Sequence, residues 1–122
     1  VSLPGGKVFY SGAETQVGGE VYSVATNAFT ATTSTSGRSY YINSVAAAGG
    51  GKVVLAGNST FPGGDVADVY TASTNTIAAT GKLNVARGFS RLVLVPSGRL
   101  VLLGGRTSNP PYQPTASVEI YW

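Results

Sequence analysis

Apolar and polar positions along this chain alternate over short spans, and each span ends at a glycine, a proline or a Thr-Asn pair. That rhythm is the period of strands and tight turns. Gly6-Lys7-Val8-Phe9-Tyr10-Ser11-Gly12 reads as a strand entered and left through glycines. Glu20-Val21-Tyr22 reads as a second strand with one polar position. Thr26-Asn27 marks a turn, because Asn tolerates the left-handed backbone region. Phe29-Thr30-Ala31-Thr32 alternates loosely, as a half-exposed outer strand does. No 3.6-residue period is sustained anywhere, which excludes helical solenoids.

The same elements then recur in the same order. Gly51-Lys52-Val53-Val54-Leu55-Ala56-Gly57 and Gly98-Arg99-Leu100-Val101-Leu102-Leu103-Gly104 repeat the first strand, so the starts at 6, 51 and 98 lie 45 and 47 positions apart. Asp68-Val69-Tyr70 and Glu119-Ile120-Tyr121 repeat the acid–β-branched–Tyr strand. Thr74-Asn75-Thr76-Ile77 repeats Thr26-Asn27-Ala28-Phe29, and Arg87-Gly88-Phe89-Ser90 repeats Arg38-Ser39-Tyr40-Tyr41. One unit therefore contains four strands: a (89–95), b (99–104), c (117–121) and d (76–80 in the preceding unit). The repeat boundaries fall at 3–48, 49–95 and 96–122, the last partial. An all-β array with a period of this length is expected of propeller blades.

The third unit carries a resemblance to a known family. Ala86-Arg87-Gly88-Phe89, then Pro96-Ser97-Gly98-Arg99-Leu100-Val101-Leu102-Leu103-Gly104-Gly105, then Ala116-Ser117-Val118-Glu119-Ile120-Tyr121, resemble a kelch repeat. The type is similar to that of bacterial surface kelch proteins and of the propeller in galactose-oxidase-like and glyoxal-oxidase-like proteins. The resemblance implies a kelch-like β-propeller with blades of four antiparallel strands, in an extracellular or cell-surface setting. The strands run b-c-d, a-b-c-d, a-b-c: ten strands, or about two and a half blades. An array of that size is an incomplete propeller. It calls for a longer parent chain, a ring made with copies of itself, or edge-to-edge stacking. The double glycine of the family survives only at Gly104-Gly105, with Gly12-Ala13 and Gly57-Asn58 at the equivalent places.

Composition narrows the function. Charged residues make up only 11% of the 122 positions, and the eight basic residues are scattered rather than gathered into a stripe. The net charge of +3 thus gives no nucleic-acid footprint. The longest apolar runs are strand-sized, so no membrane span is expected. There is no Cys, no His and no Met. The copper oxidases among the resembling proteins use Tyr, Cys and His at the metal, and that site transfers to no position here. No catalytic residue, cofactor or metal ligand is therefore assigned, and the chain is expected not to be an enzyme. Ala48-Gly49-Gly50-Gly51-Lys52 is no phosphate loop, because Lys52 leads into a strand instead of Ser or Thr and a helix.

Several residues remain as candidates. Glu20, Asp68 and Glu119 hold the same strand position in each unit. They read as structural partners of Arg38, Arg87 or Lys52 rather than as a cation-binding ring. The b–c loops vary, with 8, 11 and 15 positions separating Gly12 from Glu20, Gly57 from Asp68 and Gly104 from Glu119. Variable loops on one end of a repeat array are where binding is expected. Tyr112 and Gln113 in the proline-rich loop, and Phe61 in the preceding one, are the candidate ligand-facing residues; a ring lying over neighbouring prolines is the alternative for Tyr112. Asn58-Ser59-Thr60 fits the N-glycosylation pattern. The function expected is that of a non-catalytic structural, self-assembling or scaffold protein whose partners are copies of itself or the remaining blades of a longer chain. The alternatives are a carbohydrate- or protein-binding module using the b–c loops, and a non-active-site fragment of a galactose-oxidase-like enzyme.

Overall fold

The computed structural model of the chain describes residues 1–11, 18–35, 44–58, 64–107 and 110–121. The described residues are all-β, with no helix among them. The first sheet holds β1 (Ser2–Leu3), β2 (Lys7–Ser11), β3 (Gly19–Ser23) and β4 (Ala28–Ala31) in chain order, each antiparallel to the next. β5 (Thr33–Ser34) then leaves for the outer edge of the second sheet. That sheet runs β6 (Ser44–Gly49), β7 (Lys52–Ala56), β8 (Val66–Thr71) and β9 (Thr76–Lys82), again antiparallel and in chain order, with β5 parallel to β9. The remaining strands are β10 (Arg87–Gly88), β11 (Arg91–Leu94), β12 (Leu100–Leu103), β13 (Arg106–Thr107) and β14 (Val118–Tyr121). β11, β12 and β14 form a three-stranded antiparallel sheet, and β10 pairs with β13 as a short ribbon beside it.

The ten expected strands are the longer ones; the two-residue strands β1, β5, β10 and β13 were not expected. The first unit has a strand in the a position, β1, too short at two residues to register as an alternating pattern. The strand expected over 89–95 begins only at Arg91, because Phe89 has a φ of 57° and cannot take part in an extended ladder. The turns follow the reading of the Thr-Asn pairs. Asn27 and Asn75 have φ values of 51° and 55°, and each accepts a hydrogen bond from the tyrosine five positions earlier, Tyr22 (2.7 Å) and Tyr70 (3.3 Å).

Alternation along the strands gives every sheet two faces, and the three sheets pack in series. Leu3, Phe9 and Val21 of the first sheet bury against Val53, Leu55, Tyr70 and Ile77 of the second. The Phe9 and Tyr70 rings stack there at 4.5 Å. The opposite face of the second sheet, with Val54 and Ala56, buries against Leu92, Leu100 and Leu102 of the third. A buried hydroxyl tie joins these last two sheets, where Ser44 Oγ donates to the Ser90 carbonyl at 2.6 Å.

The repeat makes these faces equivalent. Val53, Leu55 and Tyr70 occupy the unit positions of Val8, Tyr10 and Tyr22 in the first sheet and of Leu100, Leu102 and Tyr121 in the third. Val54, Ala56 and Val69 correspond to Phe9, Ser11 and Val21, and to Val101, Leu103 and Ile120. One face type thus always meets the other. At the two ends of the series each type is bare: Val8, Tyr10 and Phe29 are exposed on the first sheet, and Leu103, Val118 and Ile120 on the third.

Candidate functional site

The chain from 83 to 90, which links the second sheet to the third, meets the β12–β14 loop at one end of the third sheet. Arg87 lies at this junction, completely buried. All five of its N–H donors are used. Nε donates to the Val85 carbonyl (3.2 Å), Nη1 to the carbonyls of Gly104 (3.1 Å) and Ser117 (2.8 Å), and Nη2 to Ser117 Oγ and to Glu119 Oε1 (2.7 Å). Glu119 is equally engaged. Its Oε1 also accepts from the Val85 amide (3.1 Å), while Oε2 accepts from the Asn84 amide (2.7 Å) and side chain (3.1 Å). Burial pushes the Glu119 carboxyl upward, but the N–H bonds from Asn84 and Val85 and the Arg87 charge outweigh it and hold the group below its ordinary value. With no donor of Arg87 left over, this arrangement ties a linker to a strand and offers no anchor to a ligand.

The packing around it demands glycines at two points. A Cβ on Gly57, whose φ is +77°, would stand 2.5 Å from the Arg87 carbonyl oxygen. One on Gly105, φ +96°, would stand 2.6 Å from the Gly88 carbonyl oxygen. The second glycine of the 104–105 pair therefore has a steric cause: Gly105 lets β13 run against residues 88–90.

β13 leads to a second, open arrangement. Its Arg106 carries its guanidinium over two rings, Phe89 at 5.2 Å and Tyr112 at 4.9 Å from their centroids. Phe89 and Tyr112 are 53% and 47% exposed, and Arg106 is exposed between them. Phe89, Gly105 and Arg106 line a cleft of about 450 Å³. The loop bearing Tyr112 is held from behind. The Thr107 amide donates to the Gln113 carbonyl (2.9 Å), the Gln113 amide to Thr107 Oγ1 (2.9 Å), and the Thr115 amide to the Gly105 carbonyl (3.0 Å).

Tyr112 therefore packs on a guanidinium, and Gln113 is exposed but uses its backbone to close the loop. Asn58 is 8% exposed and its backbone amide donates to the Arg87 carbonyl (3.0 Å), while Ser59 and Thr60 of its motif lie outside the described residues. Asp68 is completely buried and engaged, whereas Glu20 is half-buried in β3. Phe61 and Arg38 lie outside the described residues. The acids are not brought together: no group of three metal-ligating side chains occurs among the described residues. Sequence reasoning passed over Arg106, Phe89, Asn84 and Ser117. The available signal for Arg106 was its place next to the double glycine and six positions from Tyr112.

No protein-family profile matches the chain, and no curated protein matches it in sequence. Its fold does match solved structures. One is described as a novel fungal alcohol oxidase with catalytic diversity among the AA5 family, in complex with copper. The two superpose with a TM-score of 0.71 at 13% sequence identity, over 98% of this chain and 27% of the oxidase. The likeness is one of fold, and the chain spans about a quarter of that protein's length. The chain supplies neither His nor Cys, the imidazole and thiolate ligands that suit copper. Among the described residues no helix is long and apolar enough to cross a membrane.

Proposed function

We propose that the chain is a run of kelch-like β-propeller blades that serves as a non-catalytic scaffold. Its outermost faces are covered by further blades, carried either on the same polypeptide or on another copy. The observation behind this reading is the repeat equivalence of the faces. The outer aliphatic row of the third sheet (Val101, Leu103, Ile120), in which Leu103 and Ile120 are exposed and Val101 is half-buried, is the counterpart of the rows that bury Val53 and Leu100 elsewhere in the molecule. The outer row of the first sheet (Val8, Tyr10, Tyr22, Phe29), exposed at Val8, Tyr10 and Phe29 and half-buried at Tyr22, is the counterpart of what those rows bury. Faces related by such a translation make a heterologous interface, which propagates until a ring closes. The likeness to about a quarter of an AA5 alcohol oxidase supports the version in which the blades form one wall of a larger propeller. The absence of His and Cys supports a wall without the metal centre. An extracellular setting belongs to the same proposal.

Light scattering on the native protein tests it. A particle containing four to eight blades is expected, and Ile120→Lys should break it down or expose apolar surface to a hydrophobic dye. A stable three-sheet monomer indifferent to Ile120→Lys overturns the reading.

A further inference from the structure

We infer that Phe89, Arg106 and Tyr112 form a binding site for a carboxylated sugar, such as the uronic-acid unit of an acidic polysaccharide. The inference stands apart from the scaffold reading and does not rest on it.

Three observations carry it. The first is the unused charge. No carboxylate among the described residues pairs with Arg106, and its only described side-chain contacts are the two rings. A guanidinium fixed on aromatic faces keeps its edge N–H groups for an outside acceptor, and their fork matches a carboxylate in two parallel bonds. Arg87 is the internal contrast, with every donor consumed.

The second is the strain at Phe89. A φ of 57° is an outlier for a bulky aromatic, and here it accompanies a ring left 53% exposed instead of buried. Strained backbone that holds a side chain in solvent is a feature of binding positions. Gly105 makes the geometry available by allowing β13 to pass within contact of 88–90.

The third observation selects the class of ligand. A peptide would ordinarily add as a strand to a free backbone edge. β13 has no such edge, because it pairs with β10 on one side and Arg106 bridges Pro114 on the other. Recognition here must come from side chains: the half-exposed rings of Phe89 and Tyr112, each carrying Arg106 on one face, beside a cleft of about 450 Å³ lined by Phe89, Gly105 and Arg106. The C–H face of a pyranose suits an aromatic ring, and its carboxylate suits the guanidinium.

The test is calorimetric titration of the full chain with tetragalacturonate, its methyl ester, and a short peptide with a free C-terminal carboxylate. Tetragalacturonate should bind, and esterification or Arg106→Gln should each weaken it about 10-fold or more, the worth of a charge-assisted pair. Tyr112→Ala should weaken it while the far-UV circular dichroism stays unchanged. Phe89→Gly, which relieves the strain and removes the ring, should lose binding while raising or preserving the melting temperature. No heat with tetragalacturonate overturns the inference, as does equal binding of the ester, undiminished binding by Arg106→Gln, or binding of the peptide alone.

Discussion

Replacing Arg87 by Ala removes five hydrogen bonds from a site with no access to water. The carbonyl oxygens of Gly104 and Ser117 lose their guanidinium donors, and Glu119 loses the charge that offsets its desolvation. Breaking a buried pair from one side costs about 3–5 kcal/mol. For a chain of this size that lowers the melting temperature by about 10–20 °C. Urea unfolding followed by far-UV circular dichroism measures the loss. Arg87→Lys should recover only part of it, since an ammonium has three donors and no planar fork. In a double-mutant cycle with Glu119→Gln the two changes should be non-additive by about 0.5–3 kcal/mol. A loss below about 1 kcal/mol for Arg87→Ala, or strict additivity, would refute the claim that this pair ties the 83–90 linker to the third sheet.

The Glu119 carboxyl, held below its ordinary value in the fold, contributes stability that is fully present above the unfolded-state value and lost as pH falls through the folded one. Acid titration of unfolding should therefore show stability declining below about pH 4.5, with a shallower decline in Glu119→Gln. Tyr70, whose hydroxyl is pushed up by burial, works in the opposite direction. Its contribution is present below the unfolded value and lost as pH rises past about 10, so Tyr70→Phe should be less sensitive to alkali. Gly57→Ala should destabilise by about 2 kcal/mol or more, because its Cβ meets the Arg87 carbonyl. Gly98→Ala, with the same sign of φ but nothing within 4 Å, should lose only the left-handed penalty of about 1 kcal/mol; equal losses by urea unfolding would contradict the steric argument.

The sheets were legible because their information is local. Alternation, flanking glycines and Thr-Asn turns each act over a few residues, and repetition at 6, 51 and 98 set the phase. β1, β5, β10 and β13 were not legible, because two residues carry no period and their pairing depends on distant partners. The recurring acids drew attention to Glu119, yet Asn84, which binds it, and Ser117, which binds its partner Arg87, do not recur recognisably in the other units. The open arrangement was half visible. Tyr112 stood out as an aromatic among prolines, but Arg106 and Phe89 reach it only through the close approach that Gly105 permits.

Electron cryomicroscopy of the native particle tests the central claim most directly. The account predicts a closed ring of blades in which Val101, Leu103 and Ile120 pack on a face equivalent to that of Val8, Tyr10, Tyr22 and Phe29. A particle in which the three sheets stand alone, with both rows in solvent, would contradict it.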